Sequence, residues 1–181
     1  MSKREKTVTR SFRISESVLQ ALEEDAKSRS ISLNTLVNQL LLAHANWGRF
    51  IDEAGAIRTT KEVFNLLLNA ASDETLETSL LKGADTPKAF ILAKHGVLSL
   101  NTVLDFVRCM AMYGGFAKYN EIESQGKIVI TLMHDMPRKG SVFFSNLLNS
   151  LFGMLNIRYK FTSSEHAVII EIQNLTASNT A

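Results

Sequence analysis

Three polar side chains near the start of the chain have types and spacing suited to recognition chemistry. They are Thr9, Ser11 and Arg13, at alternate positions of the segment 7–14. Successive side chains of a strand point to opposite faces, so these three would share one face. Arginine can donate a pair of hydrogen bonds to guanine, and hydroxyl groups bond to several base acceptors. We predict that this face reads base edges in the DNA major groove, the alternative being an ordinary solvated strand face.

The apolar residues Val8, Phe12 and Ile14 share the other face of this predicted strand. The backbone groups of a strand need hydrogen-bond partners, and no neighbouring segment has the pattern of a second strand. We predict that a second copy of the chain supplies the partner strand, so that the protein is a homodimer.

Two amphipathic helices follow the strand. Ser15 is a suitable N-cap for the first helix, and Ser32 or Asn34 can cap the second. Their apolar residues recur at helical spacing and are expected to join the strand in a core shared by two subunits. The predicted dimer core consists of Phe12, Ile14, Val18, Leu19, Leu22, Leu36, Val37 and Leu40.

Positive charge is concentrated at the N-terminus. Residues 1–13 hold five basic residues and one acidic residue, a net charge of +4, whereas residues 49–181 hold 13 of each kind. A polyanion would dock at the N-terminal segment, and the rest of the chain is expected to add little direct DNA affinity. Lys3, Arg4 and Lys6 are predicted to lie along DNA phosphates, the alternative being a terminus that only aids solubility.

The start of the second predicted helix offers a further contact. Free backbone N–H groups and the helix dipole favour an anion at this end of a helix. We predict that Ser32, Leu33 and Asn34 contact a DNA phosphate, which is compatible with a capping role for Ser32.

The order strand, helix, helix over residues 7–47 resembles the ribbon-helix-helix family of DNA-binding repressors, the Arc, MetJ and CopG kind. The run Phe-Arg-Ile-Ser-Glu-Ser-Val-Leu at 12–19 is similar to the CopG branch, as is Ile31-Ser32. The resemblance covers roughly the first quarter of the chain. It implies a homodimeric transcription regulator in which the three polar strand residues read the bases.

One residue departs from the family pattern. The family commonly has glycine between the two helices, because glycine adopts a left-handed backbone without steric cost. This chain has Ser30 there, which would cost about 1 kcal/mol if the left-handed conformation is kept.

Length and composition indicate a small module and one ordinary domain. The chain has 181 residues, of which 45% are apolar and 21% charged, as in globular proteins. We predict a ribbon-helix-helix module for dimerisation and DNA binding over residues 1–48. An α+β domain for ligand sensing or oligomerisation should span residues 49–173, and a disordered tail residues 174–181.

Within the predicted α+β domain, helices come first and strands later. Capping patterns indicate helix starts at residues 59–62, at Thr86-Pro87 and at Ser99. Two hairpins then flank a long apolar helix, which gives the order ββαββ. The predicted ranges are 116–123, 127–134, 141–155, 158–162 and 167–172. This order also resembles the haem-nitric-oxide and V4R sensor folds, but the haem family's Tyr-x-Ser-x-Arg motif is missing.

The sequence carries no pattern typical of an enzyme. Asp105 and Asp135 are isolated, and there is no nucleophile elbow or phosphate-binding loop. Cys109 lies among apolar residues and is expected to be a small buried hydrophobe. We predict a protein that is not an enzyme and that needs no cofactor.

The histidines are scattered singly, which is unlike the paired spacing of metal sites. His44 falls on the apolar stripe of the second helix and is expected in the core, and His95 stands alone. His134 and His166 occur in adjoining hairpins and could approach one another. No metal site is predicted.

Location and partners follow from the same composition. A single cysteine, the lack of a signal-peptide pattern and the lack of any apolar run of about 20 residues predict a soluble cytoplasmic protein without membrane contact. The predicted partners are double-stranded DNA, a second copy of the chain and further copies in a higher oligomer, and a small-molecule effector. The alternative is an antitoxin-like interaction protein whose C-terminal domain binds a protein partner.

Overall fold

The structure is a computed structural model that describes residues 7–83, 85–124, 126–155 and 157–173. The predicted tail over residues 174–181 lies outside these ranges. The chain divides into two compact units, with the boundary between His44 and Ala45. They are called the N-terminal unit and the C-terminal unit below, and each is described by itself.

The N-terminal unit contains the two predicted helices, α1 (Glu16–Ser28) and α2 (Leu33–Ala43). Ser32, rather than Asn34, caps α2, because the Thr35 amide donates to its Oγ at 3.1 Å. Residues 7–15 form no strand within a single chain. A two-stranded ribbon there needs a second copy, so the ribbon stays a prediction.

The turn between α1 and α2 keeps the left-handed backbone despite the missing glycine. Ser30 has φ of 55°, in the region that glycine normally occupies. The Ile31 amide donates to the Ala26 carbonyl at 3.0 Å and the Ser30 amide to the Lys27 carbonyl at 3.1 Å. These bonds satisfy the last carbonyls of α1, which fixes the turn at the expense of serine strain.

Helix α2 ends at Ala43. A π-helical turn (His44–Gly48) then leads into the short helix α3 (Arg49–Glu53). His44 is exposed in a single chain, and so is Leu40, one turn earlier on the same stripe. The predicted core is shared by two subunits, so the place of His44 in it stays a prediction.

The C-terminal unit begins with four longer helices after α3. They are α4 (Lys61–Ala70), α5 (Asp73–Gly83), α6 (Asp85–His95) and α7 (Leu100–Gly114). Thr60 caps α4 and Ser99 caps α7, as predicted, whereas α6 begins at Asp85, before the predicted start at Pro87. Gly115 ends α7 with φ of 69°. Within the described ranges no single helix could span a membrane; α6 and α7 pass the length and composition test only as a pair bent by 109°.

Helix α4 leaves one of its two apolar faces exposed. Leu66 keeps 70% of its surface exposed, and Val63 and Leu67 are also exposed. The buried face is formed instead by Leu68 and the half-buried Phe64, whose ring lies 5.8 Å from that of Phe116. Because α4 has apolar residues on two faces, its periodicity did not indicate which face meets the core.

The second half of the unit has the predicted order ββαββ. The elements are β1 (Lys118–Ser124), β2 (Lys127–Met133), α8 (Arg138–Gly153), β3 (Arg158–Ser163) and β4 (Ala167–Gln173). All neighbouring strands are antiparallel, in the spatial order β1-β2-β4-β3. The mixed α+β class is therefore confirmed, with helices first and a four-stranded sheet after them.

The core of the C-terminal unit lies on one face of this sheet. Alternate residues of the two central strands are buried, including Ile130 of β2 and Ile170 of β4. Phe144 and Phe152 of α8 are fully buried in the same cluster. The unit thus forms its own hydrophobic core on one face of the sheet, and the other face takes no part in that core.

Candidate nucleic-acid interface

The three predicted base-reading residues are all accessible in the N-terminal unit. Thr9, Ser11 and Arg13 are exposed, on a segment that precedes the Ser15 N-cap of α1. The Leu19 amide donates to the Ser15 carbonyl at 3.0 Å, which starts α1 directly after the segment. The side chains can therefore meet a ligand without any rearrangement of the helices.

The apolar residues of the same segment are equally exposed. The exposed fraction of the residue is 77% for Phe12, 70% for Val8 and 53% for Ile14. Fully burying a side chain of this size gains about 1.5–3 kcal/mol, so a single chain leaves a large hydrophobic gain unrealised. Three such residues on one short segment form an exposed apolar surface of the kind that often marks an interaction site.

The helical residues of the predicted dimer core are buried to different degrees. Leu36 is fully buried, and Leu19, Leu22 and Val37 are half-buried. Val18 and Leu40 are exposed. Only one of the six is thus fully buried within a single chain.

The start of α2 presents backbone N–H donors, and no acidic side chain lies in the first turn to compete with a bound anion for them. Its first turn holds no acidic residue, Leu33 is half-buried and Asn34 is exposed. The Ser32 side chain already accepts one amide, which leaves other first-turn donors for an anion. The predicted arm residues Lys3, Arg4 and Lys6 lie outside the described residues.

Comparison with known proteins adds no relative. No protein-family model matches the chain, and no curated protein matches it in sequence.

The two histidines predicted to approach one another do so. The rings of His134 and His166 lie 6.3 Å apart. Ser141 donates its single proton to the Ser164 carbonyl at 2.7 Å, so it accepts from His134 Nε2 at 2.8 Å. Burial, and then the charge of His166, lower the pKa of His134. Across the described ranges no three His, Cys, Asp or Glu residues are grouped to hold a metal ion.

Asp105 is not isolated, contrary to the sequence prediction. Its Oδ2 accepts from Lys94 Nζ at 2.7 Å and lies 2.9 Å from His95 Nε2. Burial would raise the pKa of Asp105, but these hydrogen bonds outweigh it and the pKa is lowered. Lys94 also donates to the buried Cys109 thiol at 3.3 Å. The group ties α6 to α7, and burial raises the pKa of Cys109, which keeps it in the unreactive thiol form.

Asp135 also has a partner, since Lys61 donates to it at 2.9 Å and so lowers its pKa. Both residues line an open cleft of about 390 Å³ with Phe116, Lys118 and His134. That volume is within the usual range of small-molecule sites. The predicted effector remains a prediction, because the lining residues do not single out one chemistry.

The outer face of the sheet was not predicted from the sequence. The pairing of the described strands brings Lys118, Lys127, Arg158 and Lys160 to this one surface. The alternation within each strand is visible in the sequence, but the alignment of one strand with the next depends on long-range pairing.

Proposed function

We propose that the protein is a sequence-specific DNA-binding transcription regulator that acts as a homodimer of the ribbon-helix-helix type. One observation carries the proposal: within residues 7–14 the even positions hold three apolar side chains and Arg10, the odd positions are all polar, and both sets are exposed in a single chain. An amphipathic segment without a strand partner is completed by antiparallel pairing with its own copy. The pairing would bury Val8, Phe12 and Ile14 while leaving Thr9, Ser11 and Arg13 outside.

The two helices support the same assembly. Val18 and Leu40 are exposed, and Leu19, Leu22 and Val37 are half-buried, so α1 and α2 still offer apolar surface to a second copy. In a two-fold dimer each of these side chains is used twice, because the same patch serves both subunits. The gain must exceed the cost of association, about 4–15 kcal/mol, and burial of this many side chains is of that order.

The proposed DNA contacts divide into two kinds. A two-stranded ribbon fits the major groove, where Arg13 would bond to guanine and Thr9 and Ser11 to other base acceptors. The amide groups at the start of α2 and the N-terminal basic residues would bind phosphates and set the position of the ribbon.

Selection of bound sequences from a pool of random DNA duplexes tests the proposal with the full chain. We expect enrichment of an inverted repeat, because a two-fold dimer presents the same readers to both half-sites. Retention of duplexes without any enriched sequence, or no retention at low salt, would refute sequence-specific binding.

An antitoxin-like interaction protein is the competing proposal. Antitoxins of this family usually carry a short segment that orders only on binding its partner. The closed core around Phe144 and Phe152 favours a folded domain instead. Limited proteolysis separates the two: a stable fragment of about residues 50–173 supports the regulator, and rapid loss of this region supports the antitoxin.

A further inference from the structure

The outer face of the four-stranded sheet, called the open face here, is defined by its register. Directly paired residues of antiparallel strands share a face, so the pairing aligns them in rows across all four strands. One row is Ser124, Lys127, Gln173 and Arg158; the next is Ile122, Val129, Glu171 and Lys160; the third is Asn120, Thr131, Ile169 and Thr162. Lys118 and Met133 stand beyond them. Ile122 is 57% exposed, in contrast to the buried residues of the inner face.

Charge on the open face is strongly positive. It carries Lys118, Lys127, Arg158 and Lys160 against the single acid Glu171. Lys127 Nζ lies 2.7 Å from Glu171 Oε2, so one of the four cations is paired and three remain in excess. The segment 49–181 is neutral in total, which was the reason to expect little direct DNA affinity from it. The open face departs from that expectation, because the neutral sum conceals a separation of charge.

Five of the ten uncharged side chains on the open face suit phosphate oxygens, and they are Asn120, Ser124, Thr131, Thr162 and Gln173. Ser, Thr, Asn and Gln side chains commonly bond to DNA phosphates together with Lys and Arg. All four residues of the row through Gln173 belong to these types. Tyr119, Tyr159 and Phe161 belong to the inner face, so the rows of the open face contain no aromatic ring on which an unpaired base could stack.

We infer that the open face binds the phosphate backbone of double-stranded DNA. The inference rests on the proposed function, since the duplex is the one that the N-terminal unit would read. Neighbouring strands lie about 4.8 Å apart, so Lys127 and Arg158 stand roughly 10 Å apart across β4. A flat surface of long basic side chains at such spacing can follow a phosphate backbone without reading bases.

Paired variants of the full chain test the inference. The variant R158Q with K160Q removes two open-face charges, and R58Q with K88Q removes two exposed charges elsewhere in the same unit. Both variants have the same net charge, so only the place of the removed charge differs. We expect the first to reduce the slope of log K against log salt by about 0.9 for every phosphate that is no longer neutralised, on operator and scrambled duplexes alike. The control should change it much less.

The variant E171Q is expected to change DNA affinity in the opposite direction. It removes the acid that faces the DNA and frees Lys127, so affinity for both duplexes should rise and the salt slope should steepen. A folding defect would not produce tighter binding, and the three variants should have matching unfolding curves.

Two failures are distinguishable. If the wild type selects a sequence but R158Q/K160Q matches the R58Q/K88Q control and E171Q has no effect, the open-face inference is overturned and the proposed function stands. If the wild type binds no duplex in a salt-dependent manner, both are overturned.

Discussion

The two units of this chain differ in how far they bury their apolar side chains. The C-terminal unit packs Phe144 and Phe152 against the inner face of its own sheet, where they are fully buried. In the N-terminal unit Phe12 is more exposed than buried, and Leu36 is the fully buried side chain of its two helices. The C-terminal unit thus buries its core within one chain, whereas the N-terminal unit leaves apolar side chains exposed whose burial would add stability.

This difference predicts different responses to protein concentration. A unit that closes its own core unfolds at a midpoint independent of concentration, while a unit completed by a second copy is stabilised by mass action. The exposed stripe of α4, with Leu66 and Leu67, is the exception within the C-terminal unit. Exposure alone therefore does not identify a dimer surface, and the proposed dimer surface rests on exposure together with a segment that lacks a strand partner.

The largest expected effect comes from charge in the N-terminal core. Leu36→Asp together with Leu40→Asp should cost several kcal/mol, because one aspartate replaces a fully buried leucine and the other lies in the proposed dimer core. Sedimentation should change from dimer to monomer, and helical signal should fall. Asn38→Asp with Gln39→Asp adds the same charge at exposed positions of α2 and should leave the dimer intact. A folded wild-type monomer at micromolar concentration would contradict the proposed architecture.

A cavity in the core of the C-terminal unit should destabilise that unit without dissociating the proposed dimer. Phe144→Ala is expected to lower the free energy of unfolding of this unit by about 3–5 kcal/mol, since the ring is fully buried. The change in its midpoint should be the same at low and high protein concentration, and sedimentation should still show a dimer. Dissociation caused by Phe144→Ala would mean that the two units do not differ as described.

Removal of the arginine reader should affect recognition more than stability. A bidentate contact between arginine and guanine is worth about 1–3 kcal/mol of discrimination, so Arg13→Ala should weaken binding to the selected sequence by that amount. Binding to a scrambled duplex should weaken only slightly, and the thermal midpoint should stay unchanged because Arg13 is exposed. Equal losses on both duplexes would make Arg13 a phosphate contact and leave Thr9 and Ser11 as readers.

Local sequence signals predicted much of this fold. Ser32, Thr60 and Ser99 mark helix starts because a cap acts on amides two or three residues away. The strand ranges were predicted to within about two residues, since alternation and turn residues are also local.

Features that depend on distant residues were not accessible in the same way. The partners of Asp105 lie 10 and 11 residues away, on another helix, and are set by the angle between α6 and α7. The open face depends on the pairing of β2 with β4, whose register joins residues about 40 positions apart in the sequence. The choice of buried face on α4 likewise depends on Phe116, which lies far along the chain.

The Asp105 group should contribute to acid sensitivity of the C-terminal unit. Its pKa is lowered in the folded chain, so the stabilisation is present above the unfolded value of about 3.9 and is lost as pH falls through the folded pKa. Asp105→Asn should therefore lower stability at neutral pH and flatten its dependence on pH below about 4. The pKa values of Glu121, Asp135 and Glu171 are also lowered, so these groups should share the remaining slope, and Glu121→Gln should remove the part due to Glu121. An unchanged slope in Asp105→Asn would contradict the role of its partners.

The smallest expected effect concerns backbone strain at the turn of the N-terminal unit. Ser30 has a left-handed backbone that costs a residue with a side chain about 1–2 kcal/mol, so Ser30→Gly should raise stability by up to about 1 kcal/mol. The gain is less than the full strain because glycine also loosens the unfolded chain. Gly115→Ser is the reverse exchange at φ of 69°, where an added Cβ meets nothing within 4 Å, so backbone strain alone should cost a similar amount. If both exchanges leave the free energy of unfolding unchanged, or if Ser30→Gly lowers it, the turn of the N-terminal unit is not strained.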